Sequence, residues 1–527
     1  MSFFKTKNAL AKVEFSGFGG IDTRDVTGGG GKAAEVVNFR ILEDGRLQKR
    51  CGYRHLISMP GNIRAILTGY FDGIFLGYVL SEGQVFKINF DTGKRSLIGS
   101  IGSVSGEASI FYYLGNIFVL DGEEIYEVKE DEIISAEGYV PLLGKDWGSN
   151  YPGEINEPIN LLTPRARISY IVSDPPTIFL ATLYSVVSVD KVYLNDRLLS
   201  VSEYVIDHEF KTINIAGLES GDRVLVYLTF DRSVMGRSKV GFNTRAVVFG
   251  GVNNSRVFMW GGEEKNVMYS SAYVSQRALR ESQEAYPDSG VLYFPADYDF
   301  TVGDGSHDIT GVTRHYDRLL IFTTEDTWVA DSDACGTEYF PTMRINSSSG
   351  CFSTRGCAKS GNYPISVSRR GVMRWTSKTD RLEECNAYPI SDGISALLPD
   401  GFFERAVAYE NKWKGEIFFT DPQDATGRIF VYRDSGERWY TYEGIRAELF
   451  FDGPSNVGFV FGKDIYLFDD SLSADKPTAD TSSAINASFV SQPLDFGISG
   501  RIKRLMQVSL EADLGGEDIS FNFRSDK

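Results

Sequence analysis

The sequence predicts an all-β chain: a β-propeller of about seven blades, with a small β-sandwich inserted and a β module at the C-terminus. Three observations predict it. Aromatic residues make up 13% of the chain and glycines number 54, a balance that favours strands joined by tight turns. Short strands bounded by turn residues recur at a period near about 40 residues, four to a repeat, as propeller blades do. The third is the unit at residues 308–331, DITGVTRHYDRLLIFTTEDTWVAD. It splits into strands at 309–314, 318–323 and 327–330, and its middle strand holds the unbroken apolar run 319–322, the pattern of a strand buried on both faces.

The rest of the chain is justified in order. Residues 1–34 carry small and polar residues around GFGG and GGGG and read as a flexible arm, ordered only by packing on something else. A phosphate loop ending at Lys32 fails: Ala33 stands where Ser or Thr must hold magnesium, and Val26 stands where the first Gly must be. Residues 35–140 form the first part of the propeller. They open with VVNFRILEDGRLQKRCGYRHL, whose Asp44-Gly45 pair is a two-residue hairpin turn. The strand near residues 36–47 is expected to complete the last blade and so protect its edge. A first unit at 63–101 turns at Asp72-Gly73, Glu82-Gly83 and Thr92-Gly93, and a second at 107–139 turns at 114–116, Asp121-Gly122 and Glu130-Asp131.

The rhythm breaks over 141–235. A linker at 141–164 leads into a pattern with strict alternation at 189–194 and 223–230, read as the inserted sandwich. Blades resume over 236–472, at 245–273 with turns Asn253-Asn254 and Gly261-Gly262, then 308–340, 361–394, 405–445 and 446–472. A short helix is expected within 278–284. Residues 473–527 hold a polar linker to 484 and the final β module, with an alternating strand at 506–510.

A net charge of −17 argues against gripping nucleic acid by its phosphates, which needs clustered Lys and Arg. It leaves open a surface past which nucleic acid slides; a solvated acidic surface is the simpler reading. No signal peptide is visible, and the longest nearly uncharged stretch, 177–189, is too short to span a bilayer. No membrane partner is expected.

Candidate chemistry is thin. Asp297, Asp299, Asp304 and Asp308 could serve as an acid/base pair or bind calcium, but turn and capping roles are favoured over a glycosidase pair. His55, His208, His307 and His315 lack metal spacing. Four of the five cysteines, Cys335, Cys351, Cys357 and Cys385, share a span that could hold one bridge or a metal. Reduced thiols are favoured there because no histidine lies in the span. Trp147, Trp260, Trp328, Trp375, Trp413 and Trp439 fall mostly one per repeat, and packing between blades is favoured over a glycan-binding surface. Arg501, Lys503 and Arg504 form the densest basic run, a candidate subunit contact set against a solvated face. No catalytic residue, metal or cofactor is assigned.

The segment GFGGIDTRDVTGGGGKAAEVVNFRILEDGRLQKRCGYRHL resembles the N-terminal signature of tail proteins of tailed bacteriophages, of the β-propeller nozzle, hub or stabilisation type. The matching positions are Gly19, Gly20, Asp22, Arg24, Asp25, Asn38, Gly45, Leu47, Lys49, Arg50, Gly52 and Tyr53. GGGG replaces the Pro-bearing stretch that usually precedes the Asn. Residues 293–330, with the Val-Gly-Asp-Gly turn, the insertion at 192–228, and residues 489–516, with Leu-Asp-Phe-Gly and Lys-Arg-Leu, are similar to further parts of these proteins. The resemblance implies a non-enzymatic structural protein of the virion tail, made in the host bacterial cytoplasm. Its partners would be copies of itself in a ring, other tail or adaptor proteins, and viral DNA that passes the channel without tight binding. A receptor-binding tail-tip scaffold is one alternative, and a carbohydrate-active propeller enzyme another.

Overall fold

The computed structural model describes residues 14, 17–24, 31–102, 106–150, 153–174, 177–180, 185–209, 211–234, 236–250, 255–331, 340–376, 386–494, 504, 506–513, 515 and 518–524. Among them, seven blades make a propeller: six are four-stranded antiparallel sheets, and blade 6 contributes four antiparallel strands to a seven-stranded sheet. Blade 1 spans residues 63–100, blade 2 109–135, blade 3 245–301, blade 4 309–346, blade 5 357–389 and blade 6 407–442. Blade 7 takes three strands from 449–469 and its fourth, Gly52–Ser58, from the N-terminal region. The first strand of each blade is innermost. These seven strands lie side by side, and Leu449–Asp452 of blade 7 returns to Ile63–Phe71 of blade 1, closing the circle.

Local sequence accounts for the blades. At Asp72-Gly73 and Glu82-Gly83 both turn residues have positive φ, the geometry that matches a tight hairpin to the twist of its strands. Leu319, Leu320, Ile321 and Phe322 are all fully buried, because blade 4 is covered on both faces by its neighbours. Aromatic side chains fill the joints between blades: Trp260 and Trp328 between blades 3 and 4, Phe322 and Trp375 between blades 4 and 5, and Phe418 and Phe450 between blades 6 and 7.

The insertion between blades 2 and 3 is a five-stranded and a three-stranded sheet around one core that includes Ile168, Tyr170, Ile178, Val192, Ile213 and Val226. The helix Gln276–Ala285, capped by Ser275, braces it from blade 3. Lys191 donates to the Ala285 carbonyl at 2.6 Å, Tyr286 donates to Asp190 at 2.7 Å, and Arg165 holds Asp288 at 2.8 Å.

Four expectations are corrected. The closing strand is Gly52–Ser58, antiparallel to Asp464–Asp469; Lys32–Val37 instead adds to the outer edge of blade 6, and Phe39–Ile41 pairs with Leu47–Lys49 as a short hairpin. The expected linker at 141–164 contains the strand Leu142–Gly148, held because Leu143 and Trp147 are buried in the sandwich core. The N-terminal arm is not wholly loose: Gly20–Ile21 is buried and pairs in parallel with Lys32–Ala33. At the C-terminal end, Ser488–Ser491 pairs with Lys32–Val37, but residues 506–510 carry no ladder. Their apolar residues Met506, Val508 and Leu510 are exposed, with no strand among the described residues paired to them. The turns at 253–254 and 378–380 lie outside the described residues.

Candidate functional site

The N-terminal signature residues come together as a buried clamp. Asn38 adopts a left-handed backbone conformation, φ 56°, which aims its side chain inward at the end of Lys32–Val37. Its carbonyl oxygen accepts from Arg50 Nε at 2.8 Å and from the Glu443 amide at 2.9 Å, and its amide nitrogen donates to the Asn486 carbonyl at 2.7 Å. The Arg50 side chain, 2% exposed, also donates to both oxygens of Asp475 at 2.7 Å and to the carbonyls of Cys51 and Glu443. All five guanidinium N–H groups are thereby satisfied. One charge thus ties the N-terminal hairpin, blade 6, the closing strand and residue 475 together. A Cβ at Gly52 would overlap the Ala474 carbonyl oxygen, so this clamp tolerates only glycine there.

The remaining signature residues extend it. Gly20 has φ +84°, and a Cβ there would stand 2.9 Å from the backbone of Trp439. Gly19 donates to the Gly31 carbonyl. Arg24 binds Asp22 through its backbone and side chain, both at 3.1 Å, and this bonding holds the Asp22 carboxyl below the usual carboxylate range. Gln492 donates to the Asp22 carbonyl at 2.6 Å. Gly45, at φ +83°, closes a loop longer than the two-residue turn expected at Asp44-Gly45, since the Leu42 amide donates to the Arg46 carbonyl and Asp44 does not share the positive φ; Leu47 packs on the main core. Lys49 ends the hairpin's second strand. Asp25, Arg501 and Lys503 lie outside the described residues; Arg504 is exposed.

Sequence reasoning missed a cleft of about 820 Å³ beside this clamp. Hairpin tips of blades 4, 5 and 6 and the N-terminal hairpin surround it, with Tyr316, Tyr363, Trp413, Lys414, Arg40 and Glu43 in its lining. Trp413 is 54% exposed. It departs from the expected packing between blades because it sits at the tip of a hairpin. Both carboxylates of the cleft face a cation, Glu43 binding Arg433 at 3.1 Å and Asp434 binding Arg374 at 3.0 Å, and the cleft's Arg40 binds the buried Glu416 at 2.7 Å. Burial lowers the Arg40 pKa, but Glu416 with Tyr442 and Tyr440 together outweigh it, so the guanidinium is held more firmly protonated than usual. Carboxylates neutralised this way suit recognition better than proton donation. The signal in sequence was an aromatic-cation pair in a turn, Trp413-Lys414.

Other candidates are not brought together. Asp304 accepts from the Ser306 backbone and hydroxyl, a turn role that lowers its pKa. No group of three metal-ligating side chains exists among the described residues. His55, Ser58 and Asp464 do cluster, but Ser58 donates to Asp464 at 2.5 Å and both crowd the same ring nitrogen, Nε2 of His55. A relay needs the acid on one ring nitrogen and the hydroxyl on the other. Cys51, Cys351 and Cys357 are free thiols, and burial pushes Cys51 up to about 11; Cys335 and Cys385 lie outside the described residues.

At the axis, the starts of the inner strands converge. Thr354, before blade 5, donates to Glu107, before blade 2, at 2.9 Å. Blades 2 and 5 are not neighbours, so this bond crosses the axial channel and closes it to anything as wide as a duplex. Arg245, the first residue of blade 3, binds Glu107 at 2.8 Å. Burial raises the Glu107 pKa, but Arg245, Thr354 and Arg355 together hold it below the usual value. Arg355 lies within electrostatic range of Arg245, Glu107, Glu448 and Arg64, and burial followed by repulsion from Arg245 pushes its pKa down to about 10.

No protein-family model and no curated protein matches the chain. Solved structures that resemble it are propellers. The AfRom2 CNH domain is 7% identical with a TM-score of 0.39, over 79% of this chain and 99% of that one. The Neurospora crassa Pan2 WD40 domain is 7% identical with a TM-score of 0.37, over 80% and 97%. The WD40 domain of SCAP from fission yeast is 8% identical with a TM-score of 0.31, over 78% and 82%. At this identity the likeness concerns the fold alone.

Proposed function

We propose that the chain is a structural subunit of a bacteriophage tail, several copies of which form a ring around the DNA exit channel. The observation that carries this reading is the clamp. Residues whose order resembles the tail-protein signature, Asn38, Arg50 and Gly52 with Gly20, Asp22 and Arg24, are spent on fastening both ends of the chain to blades 6 and 7. The bond across the propeller axis supports the placement of DNA between subunits, along an acidic lumen that does not capture it. Sedimentation and negative-stain electron microscopy of the full chain, alone and with tail proteins, test it. Closed rings are expected; a strict monomer under both conditions overturns it.

The cleft favours a second reading, a tail-tip protein that binds a host glycan through Trp413, Tyr316 and Tyr363. Glycan binding that Trp413→Ala abolishes would establish that reading, and its absence would leave the ring subunit.

A further inference from the structure

Each inner strand has a charged residue within two positions of its start: Arg64, Glu107, Arg245, Asp308, Arg355, Arg405 and Glu448 in blades 1 to 7. Two of these turn away. Arg405 binds Asp421 at 2.6 Å, and Asp308 is exposed. The other five meet at the axis, three guanidiniums against two carboxylates. Glu107 is taken by Arg245 and Thr354. Glu448 accepts from the Gly462 amide at 3.1 Å. Among the described residues neither Arg64 nor Arg355 has a carboxylate within ion-pairing distance, and Arg64 Nε is buried with no hydrogen-bond partner. A polar N–H kept from water without an acceptor is costly, and here it belongs to one of three guanidiniums grouped at the axis.

We propose that this closed end of the axis is a binding site for a small oxyanion of the carboxylate or phosphate class, held by Arg355 and Arg64 with Arg245 behind them. One singly charged oxyanion balances the cluster, whose formal charge is otherwise one positive, and it offers the paired acceptors that a guanidinium fork takes. All five side chains are partly solvent-accessible, so a small ion reaches them, while the bond between Thr354 and Glu107 excludes a polymer from passing through.

The test uses the purified full chain, titrated with inorganic phosphate and separately with acetate at constant ionic strength, read by calorimetry and by the thermal midpoint. Saturable binding of one anion per chain is expected with at least one probe, and the pair of titrations separates phosphate from carboxylate preference. Arg355→Gln is expected to weaken it by roughly tenfold or more, while Arg277→Gln, exposed on the bracing helix, leaves it unchanged. No saturable binding of either probe overturns the proposal, as does wild-type affinity in Arg355→Gln. If circular dichroism shows that variant unfolded, Arg64→Gln is judged by the same criterion. None of these readings depends on assembly into a ring.

Discussion

Arg50 is buried and Arg355 half-buried, and the two arginines sit in opposite circumstances. Arg50 spends every N–H on a fixed acceptor, including both oxygens of Asp475. Arg355 faces two other arginines, and the one nearby carboxylate bound by a guanidinium, Glu107, belongs to Arg245. A satisfied buried charge is a fastening, and its removal strands its partner. An unsatisfied one can be removed without stranding any partner.

Breaking the fastening should have the largest effect. Arg50→Met leaves Asp475 buried and unpaired, and about 3–5 kcal/mol of stability is expected to go, measured by denaturant unfolding. The double variant Arg50→Met, Asp475→Leu should recover much of it, since a stranded charge rather than a lost bond accounts for most of that figure. Gly52→Ala comes next: its Cβ collides with the Ala474 carbonyl, and about 1–3 kcal/mol should be lost by overpacking. Arg355→Met should fall within about 1 kcal/mol of wild type, or above it, in anion-free buffer, because it relieves repulsion. A loss as large as that of Arg50→Met would erase the contrast.

The smallest effect is pH-dependent. Glu107 has a folded pKa below its ordinary 4.5, so the unfolded chain takes up its proton first. Its contribution to stability is complete above 4.5 and drains away as the pH falls through the lowered value. Glu107→Gln should therefore lose less thermal stability than wild type on acidification below 4.5, and an unchanged acid limb would remove Glu107 from the axial network.

The blades were legible because their grammar is local. Asp72-Gly73 or the apolar run 319–322 needs no distant partner to be recognised. The closing strand was not legible: Asp44-Gly45 is the strongest turn nearby and drew the reading to residues 36–47, while 52–58 has half-buried positions without clear alternation. The clamp residues were visible as a signature, but their purpose was not, since Arg50 meets Asp475 across 425 positions. The axial cluster was invisible for a related reason. Arg64, Glu107, Arg245, Arg355 and Glu448 have no regular spacing, because an insertion and a helical excursion separate some blades and not others. Periodicity groups Trp413 with the packing tryptophans because it does not distinguish a hairpin tip from its strand.

The origin of the seventh blade's last strand has a consequence for biosynthesis. Residues 52–58 leave the ribosome long before residues 464–469, their partner, and must wait unpaired while nearly the whole disc is made. A nascent polypeptide halted anywhere before that point carries an open seam and an unclasped Arg50. Only a chain that has reached residues 464–469 can seal the circle.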